Sequence, residues 1–494
     1  MSRAGQWFLR ALGIVYLIAF VSFGVQGGGL IGSQGILPLT NYLHGMRDAM
    51  GARAFWYVPT VFWLNSSDIA LRIAWVAGSA LAIVLALGFF RRTCLVLLLI
   101  LYISVSTAGQ DFWSFQWDIL LTEAGFLAIF LDASPGRTWL LRWLLFRLMF
   151  MSGLVKLLSG DPTWRDLTAL SYHYQTQPLP TPLAWYMYQL PGWFQKASTV
   201  FVFFVELLVP FLIFAPLSGK RGAGPRPAAA SQAAMLSPTR DGHVRDRPSL
   251  RLRRIAGAVI IGLQVLILLT GNYTFFNLLA IALCVFLFAD NPPRGEPAET
   301  RAHRAVTIAL LAFVLTASGL QFLEMFSFPL PGPARTYLAW ISPLRIVNSY
   351  GLFAVMTTTR PEIVVEGSQD GTNWLPYEFR YKPGDVKRAP PWVAPYQPRL
   401  DWQMWFAALG SARDNAWFYN FAARLMQGSP AVLALLERNP FPGSPPHYLR
   451  AVVYEYRFTN LAERRKTGAW WQRQEKATYL PPISLRAPGQ AIVP

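Results

Sequence analysis

Charge is what this 494-residue chain has least of: Asp, Glu, Lys and Arg together make up 14% of it, against roughly 25% in a soluble domain. Cysteine is scarcer still. Cys94 and Cys284 are the two in the sequence, and each falls within an apolar run, which excludes a disulfide framework and a thiolate metal site. They read as small buried hydrophobes. Five histidines are present, with no HExxH, no Cys–His pairing and no Gly-rich phosphate loop, so no metal and no cofactor is expected. Gly27-Gly28-Gly29 lacks the strand–helix setting of a nucleotide site and reads as a hinge or close-packing element. Acidic residues number 26 against 44 basic ones, a net charge of +18. No basic face is interleaved with aromatics, which excludes nucleic acid as a partner.

What the chain has instead is apolar length. Hydrophobic residues make up 53% of it, and mean hydropathy is +0.31. The first two thirds hold runs of about 17 to 23 apolar residues, long enough to span a bilayer. Nine spans are expected, over Trp7–Val25, Ile69–Phe90, Cys94–Ala108, Phe115–Leu131, Trp139–Leu158, Thr199–Leu217, Ile255–Gly271, Phe275–Asp290 and Val306–Met325. The third and fourth are short or carry polar residues, which suits a re-entrant segment at one of them. The first apolar stretch is longer than a signal-peptide core and reads as an uncleaved span.

The arginines set the orientation. Arg3, Arg10, Arg91, Arg92, Arg137, Arg142, the Lys220–Arg254 stretch, Arg294, Arg301 and Arg304 fall on one set of junctions. The opposite set holds only Arg47, Arg53, Arg165 and Lys196. The basic set is cytoplasmic by the positive-inside rule, so the positive charge records topology, with some attraction to anionic lipid. An odd number of spans then places the N-terminus inside and everything after Phe328 outside. The division expected is a membrane domain over 1–328 and a C-terminal domain over 329–494.

Two connections differ in kind. Residues 218–250, rich in Ala, Pro, Gly and Arg, read as a disordered cytoplasmic linker. Residues 159–196 are dense in aromatics and amides, and Pro178, Pro180, Pro182 and Pro191 forbid one long helix. That loop is expected to pack on the membrane domain. Beyond Phe328 the pattern changes. Ile363–Trp374 and Tyr377–Tyr381 read as strand, turn and strand, and Val452–Phe458 alternates as a strand. Asp401–Leu409, Asn415–Gln427 and Pro430–Glu437 have helical spacing. The fold class expected is a multi-pass α-helical membrane protein with a C-terminal β-rich, β-sandwich-like extracytoplasmic domain.

Several strings carry a resemblance. They are Arg345–Phe353, Arg360-Pro361-Glu362-Ile363, Tyr377-Glu378-Phe379, Lys382-Pro383-Gly384-Asp385, Arg399–Ala408 with its Leu-Asp-Trp-Gln-Met-Trp-Phe run, Asn439-Pro440-Phe441, Trp470-Trp471 and Tyr479-Leu480-Pro481-Pro482. In the membrane half they are Gly160-Asp161-Pro162-Thr163-Trp164 and Tyr174–Pro180. Together they resemble the lipase maturation factor family over most of the chain. The resemblance implies a membrane-embedded maturation factor that assists folding of secreted proteins such as lipases, in the manner of a chaperone. Its place would be the endoplasmic reticulum membrane in a eukaryote, or the cytoplasmic (inner) membrane in a bacterium; its partners would be secreted clients and the lipid bilayer. A shorter string, Gly153-Leu154-Val155-Lys156-Leu157 followed by Trp164, is similar to a Gly-Leu-Lys-Lys-Leu segment of the vitamin-K-dependent γ-carboxylase membrane domain. The second lysine there is the base, a role that carries over to Lys156 alone.

Candidate site residues follow from cost. Lys156 lies one turn from the non-cytoplasmic end of its span, where its stem could snorkel or its ammonium pair with a buried carboxylate. Glu206, mid-span, is the obvious partner, since an unpaired carboxylate there is costly; its plainer use is a helix–helix hydrogen bond. Asp118 and Glu123 stand about 140° apart around a helix, and with Arg142 and Arg147 suit an architectural charge network. His173, between Tyr172 and Tyr174, suits packing or acid–base use. Trp402, Trp405 and Phe406 share helical spacing and, with Trp164, are the candidates for a client-binding surface or for plain core. Two functional classes result. One is a non-enzymatic maturation factor; the other is an integral membrane enzyme using Lys156 with His173 or Glu206. A transporter is disfavoured, because no inverted repeat is visible.

Overall fold

The structure, a computed structural model, describes residues 2–131, 134–215, 248–289, 300–487 and 490–491. The expected 218–250 linker lies outside the described residues except for 248–250, which begin a helix. Among the described residues, nine helices fall on the nine apolar runs. They are α1 Arg3–Ile31, α2 Asp68–Leu87, α3 Arg91–Ala108, α4 Gln116–Ile129, α5 Pro135–Leu158, α6 Gly192–Phe214, α7 Pro248–Thr270, α8 Phe276–Phe288 and α9 Arg301–Met325. Six of them, α1, α2, α3, α6, α7 and α9, are long and apolar enough to cross a membrane among the described residues. Their outer faces carry exposed apolar side chains, such as Ile69, Ile73 and Val76 on α2, as surfaces bathed in lipid do. The chain is a multi-pass membrane protein. Of the two runs expected to be short or to carry polar residues, α3 meets those requirements at 18 residues while carrying Ser104, Ser106 and Thr107. α4 and α8 are the short ones, at 14 and 13 residues; the 14 of α4 extend about 21 Å at 1.5 Å per residue, less than the roughly 30 Å of a hydrocarbon core.

The C-terminal region is built on one antiparallel sheet. β1 Pro361–Ser368, β2 Leu375–Pro376, β5 Tyr448–Phe458, β6 Trp471–Ala487 and β7 Gln490–Ala491 pair in the order β2-β1-β5-β6-β7. A separate two-stranded pair joins β3 Glu378–Phe379 to β4 Leu436–Arg438. This corrects the sandwich-like expectation. No second large sheet lies opposite the first among the described residues; the helix Arg399–Ala408 packs on β1, and the helix Ala416–Met426 on β5 and β6. Those helices bury Leu400, Met404, Phe418, Phe421 and Leu425, doing the covering work that a facing sheet does in a sandwich.

The C-terminal region does not hang from the membrane helices by its linker alone; buried arginines join the two. Arg399 makes a two-pronged ion pair with Asp118 of α4 at 2.8 and 2.9 Å and donates to the Phe112 carbonyl. Arg147 of α5 pairs with Glu123 and donates to the Asn348 carbonyl. Glu123 in turn accepts from the Asn348 amide and the Tyr350 hydroxyl. Arg360 donates to the carbonyls of Gln175, Gln177 and Pro178. The single intramembrane network expected of Asp118, Glu123, Arg142 and Arg147 is therefore two networks, each completed from beyond residue 340. Arg142 serves neither and donates to the Phe286 carbonyl.

Candidate functional site

The segment after α5 folds as its residues dictate. Gly160 takes a left-handed φ of +75°, open to glycine at no steric cost. Asp161 caps a four-residue helix through the Thr163 amide at 2.7 Å, with Pro162 in its first turn, the arrangement helix N-termini favour. That turn carries Trp164 back over α5, where the Lys156 ammonium sits 5.3 Å from its ring centroid. The Trp164 indole is fixed by a 3.0 Å hydrogen bond to the Phe353 carbonyl.

Lys156 and Glu206 meet because both helices are shaped for it. Residue 210 is proline, so α6 lacks the amide that would bond the Glu206 carbonyl four residues back, and its ring crowds that carbonyl. The helix answers with a π-turn over Phe204–Leu208, a deformation common where a side chain must be re-aimed. Opposite it stands Gly153: a Cβ there would lie 2.8 Å from the Glu206 Cβ. The missing side chain lets the widened turn approach α5. The result is an ion pair of 2.7 Å, with the two side chains 5% and 10% exposed. Lys156 also donates to the Ser152 carbonyl at 3.0 Å. The snorkelling alternative is excluded.

The loop over 159–196 forms three short helices, Pro162–Arg165, Ala169–Thr176 and Pro182–Tyr188, and packs down as expected. His173 of the second touches Tyr273 at 3.2 Å, while the Tyr273 hydroxyl lies 2.9 Å from Gln177 Oε1. The Gln177 amide is oriented by donating to the Tyr174 and Thr270 carbonyls, so its oxygen accepts the one tyrosine proton. His173 Nε2 must then carry the proton given to Tyr273, leaving Nδ1 as an acceptor. Burial, and secondly the charge of Lys156, pull the His173 pKa down to about 4, so the ring is neutral.

Lys156, Glu206, His173 and Trp164 all line one cavity of about 320 Å³. The rest of its wall is mostly apolar, from Leu148, Leu263, Phe276 and Phe353 among others, with uncharged polar groups from Ser198, Gln264, Thr270 and Tyr273. No group of three or more His, Cys, Asp or Glu able to hold a metal occurs among the described residues. The other candidates stand apart. Trp402 is packed against Trp117, Phe115 and Tyr273, and Trp405 donates to the Thr176 carbonyl. Both are buried and serve as core, not as a presented surface, because the helix bearing them is wedged between the sheet and the membrane helices. Trp164 is buried too; Phe406, 44% exposed, is the one of the four on the surface. Tyr273 carries no signal in the sequence; Gln177 and Gly153 lie within strings that carry a resemblance, and the i, i+3 spacing of Gly153 from Lys156 is what marks its role.

A polytopic membrane protein with a sheet-and-helix C-terminal region locked onto its helices, and an ion pair in a cavity between those helices, is the class these features define. The profile of the lipase maturation factor transmembrane domain matches residues 3–236 and 247–293, and that of the lipase maturation factor C-terminal domain matches residues 346–481. Lipase maturation factor 1 of Bos taurus is 34% identical, the alignment covering 98% of this chain and 90% of the bovine one. Lipase maturation factor 2 of Gallus gallus and of Homo sapiens are each 33% identical over 98% of this chain and 82% and 83% of theirs. No solved structure matches. The chain belongs to the lipase maturation factor family.

Proposed function

We propose that the chain is a membrane-embedded maturation factor that assists the folding of exported proteins, secreted lipases being the client class. The observation that carries this reading is similarity along nearly the whole chain to proteins named for lipase maturation. The membrane domain, over 1–328, presents the C-terminal domain, over 329–494, on the outer side of the cytoplasmic membrane or in the endoplasmic reticulum lumen. The basic residues of the junctions support that orientation. Phe406 and Leu409, both exposed at the end of one helix, offer the apolar contact an unfolded client would seek. Expression in cells lacking their own lipase maturation factor tests the proposal by the activity of a secreted lipase. Restored activity is expected; a normally abundant protein that restores none overturns it. Reporter fusions after Phe90, Leu217 and Phe328 should read inside, inside and outside. An inside signal at Phe328 overturns client capture, since the domain would never meet a secreted chain.

One observation favours a second reading, an integral membrane enzyme: Lys156, Glu206 and His173 line the same cavity. Against it, Lys156 is already half of an ion pair, and an ammonium so engaged is no base until it gives up a proton.

A further inference from the structure

The cavity's position and mouth are more informative than its volume. Three helices, α5, α6 and α7, form most of its wall, with Phe276 from the start of α8, and the 159–196 loop and residues 352–356 close it above. Two of them, α6 and α7, are among those able to cross a membrane. α7 packs closely on the Val209–Phe214 end of α6 and parts from its Gly192–Phe203 end. Phe201 on α6 and Leu266 and Leu269 on α7 line the cavity and yet remain exposed. A gap whose two rims are membrane-spanning helices opens sideways into hydrocarbon, and an apolar space at that depth fills with lipid chain in preference to water.

At the inner end the chemistry changes. The charges of Lys156 and Glu206 cancel at 2.7 Å. An ammonium has three N–H groups; two go to Glu206 and the Ser152 carbonyl, and one is left to donate. His173 Nδ1 is an acceptor. A phosphate or carboxylate head would meet Glu206 with no uncommitted cation to neutralise it, and an ammonium head would meet Lys156. A hydroxyl, which both donates and accepts without charge, matches both groups, whereas an ester oxygen can only accept from the Lys156 ammonium.

We infer that this cavity is a lateral lipid site that draws one acyl chain of an uncharged glycerolipid from the bilayer, its hydroxyl-bearing head held by Lys156, Glu206 and His173. The site rests on the geometry of the membrane helices and stands whether or not the maturation reading does. Its size lies at the lower end of the range of ordinary small-molecule sites, consistent with one chain entering while the remainder of the lipid stays at the mouth.

The test uses the full chain in phosphatidylcholine nanodiscs with a diacylglycerol that carries a photoactivatable diazirine midway along one acyl chain. Cross-linked peptides are mapped by mass spectrometry, with a diazirine fatty acid as the comparison probe at neutral pH. Diacylglycerol labelling should concentrate on the Phe194–Val202 and Leu263–Thr270 peptides and be displaced by unlabelled diacylglycerol. The fatty acid should label them weakly. Ser198→Trp, which fills the cavity from its α6 wall, should abolish that labelling, and Glu206→Gln should raise labelling by the fatty acid. Labelling spread evenly over lipid-facing surfaces such as the Ile69–Val76 face of α2 overturns the site, and it does so in the unmodified chain, whatever the variants' folding. Equal labelling by both probes overturns the uncharged head. Undiminished labelling in a folded Ser198→Trp chain overturns the cavity as its location.

Discussion

Replacing Lys156 by methionine keeps the stem and removes the ammonium, leaving the Glu206 carboxylate in a 10%-exposed setting with no cation. Breaking one side of a buried pair costs about 3–5 kcal/mol, because the surviving charge keeps its desolvation penalty. That is more than a hundredfold in the folding equilibrium. Glu206→Met should cost a similar amount for the mirror reason. The double variant, Lys156→Met with Glu206→Met, removes both charges and both penalties, and should return to within about 1 kcal/mol of the parent or exceed it. Thermal unfolding in detergent measures the three, alongside secreted lipase activity from cells that depend on the chain. If the pair is architectural, activity follows stability and the double variant recovers both. A stable double variant without activity assigns chemistry to Lys156 and favours the enzyme reading. An unchanged unfolding midpoint for Lys156→Met refutes the premise that the pair is buried and shared.

Asp118→Asn should destabilise by about 3–5 kcal/mol by stranding Arg399, read as earlier protease release of the C-terminal region; Arg399→Lys should not substitute, since a lysine cannot make the two-pronged contact. Gly153→Ala puts a methyl group 2.8 Å from the Glu206 Cβ and should cost about 1–3 kcal/mol through overpacking. A double-mutant cycle in the alanine background should then show weaker coupling of Lys156 to Glu206. His173 is held neutral in the fold, with its pKa lowered from 6.5 to about 4, so the unfolded chain binds the extra proton first. Its contribution is present in full above the unfolded value and is lost as pH falls from about 6.5 to about 4; His173→Gln should flatten that part of the stability–pH curve.

The six helices among the described residues that can cross a membrane are legible in the sequence because a bilayer imposes a length on apolar runs that no soluble core does. The pairing of Lys156 with Glu206 is legible for a related reason, since each alone is too costly at membrane depth. Strand β6 is not. Its Gln472–Lys476 stretch is charged and amide-rich and its side chains are half-buried or exposed, so the alternation that marks a half-buried strand is missing. Arg399 and Asp118 are equally silent: 281 residues separate them, and nothing local marks either as waiting for the other. Burial of Trp402 and Trp405 depends on which surfaces meet the Arg399–Ala408 helix, information that helical spacing does not contain.

The arginine joints also set a timetable for biogenesis. Asp118 and Glu123 sit on α4, a helix too short to cross the bilayer by itself. Asp118 finds its cation at residue 399, and Glu123 receives part of its hydrogen bonding from residues 348 and 350. A ribosome delivers those partners after every helix of the membrane domain has emerged. Until then α4 carries carboxylates that hydrocarbon will not accept, and it must wait at the interface or within a translocation channel. The last third of the polypeptide is what seats it, so a chain truncated before residue 345 loses more than its C-terminal sheet: it leaves the membrane helices unfinished.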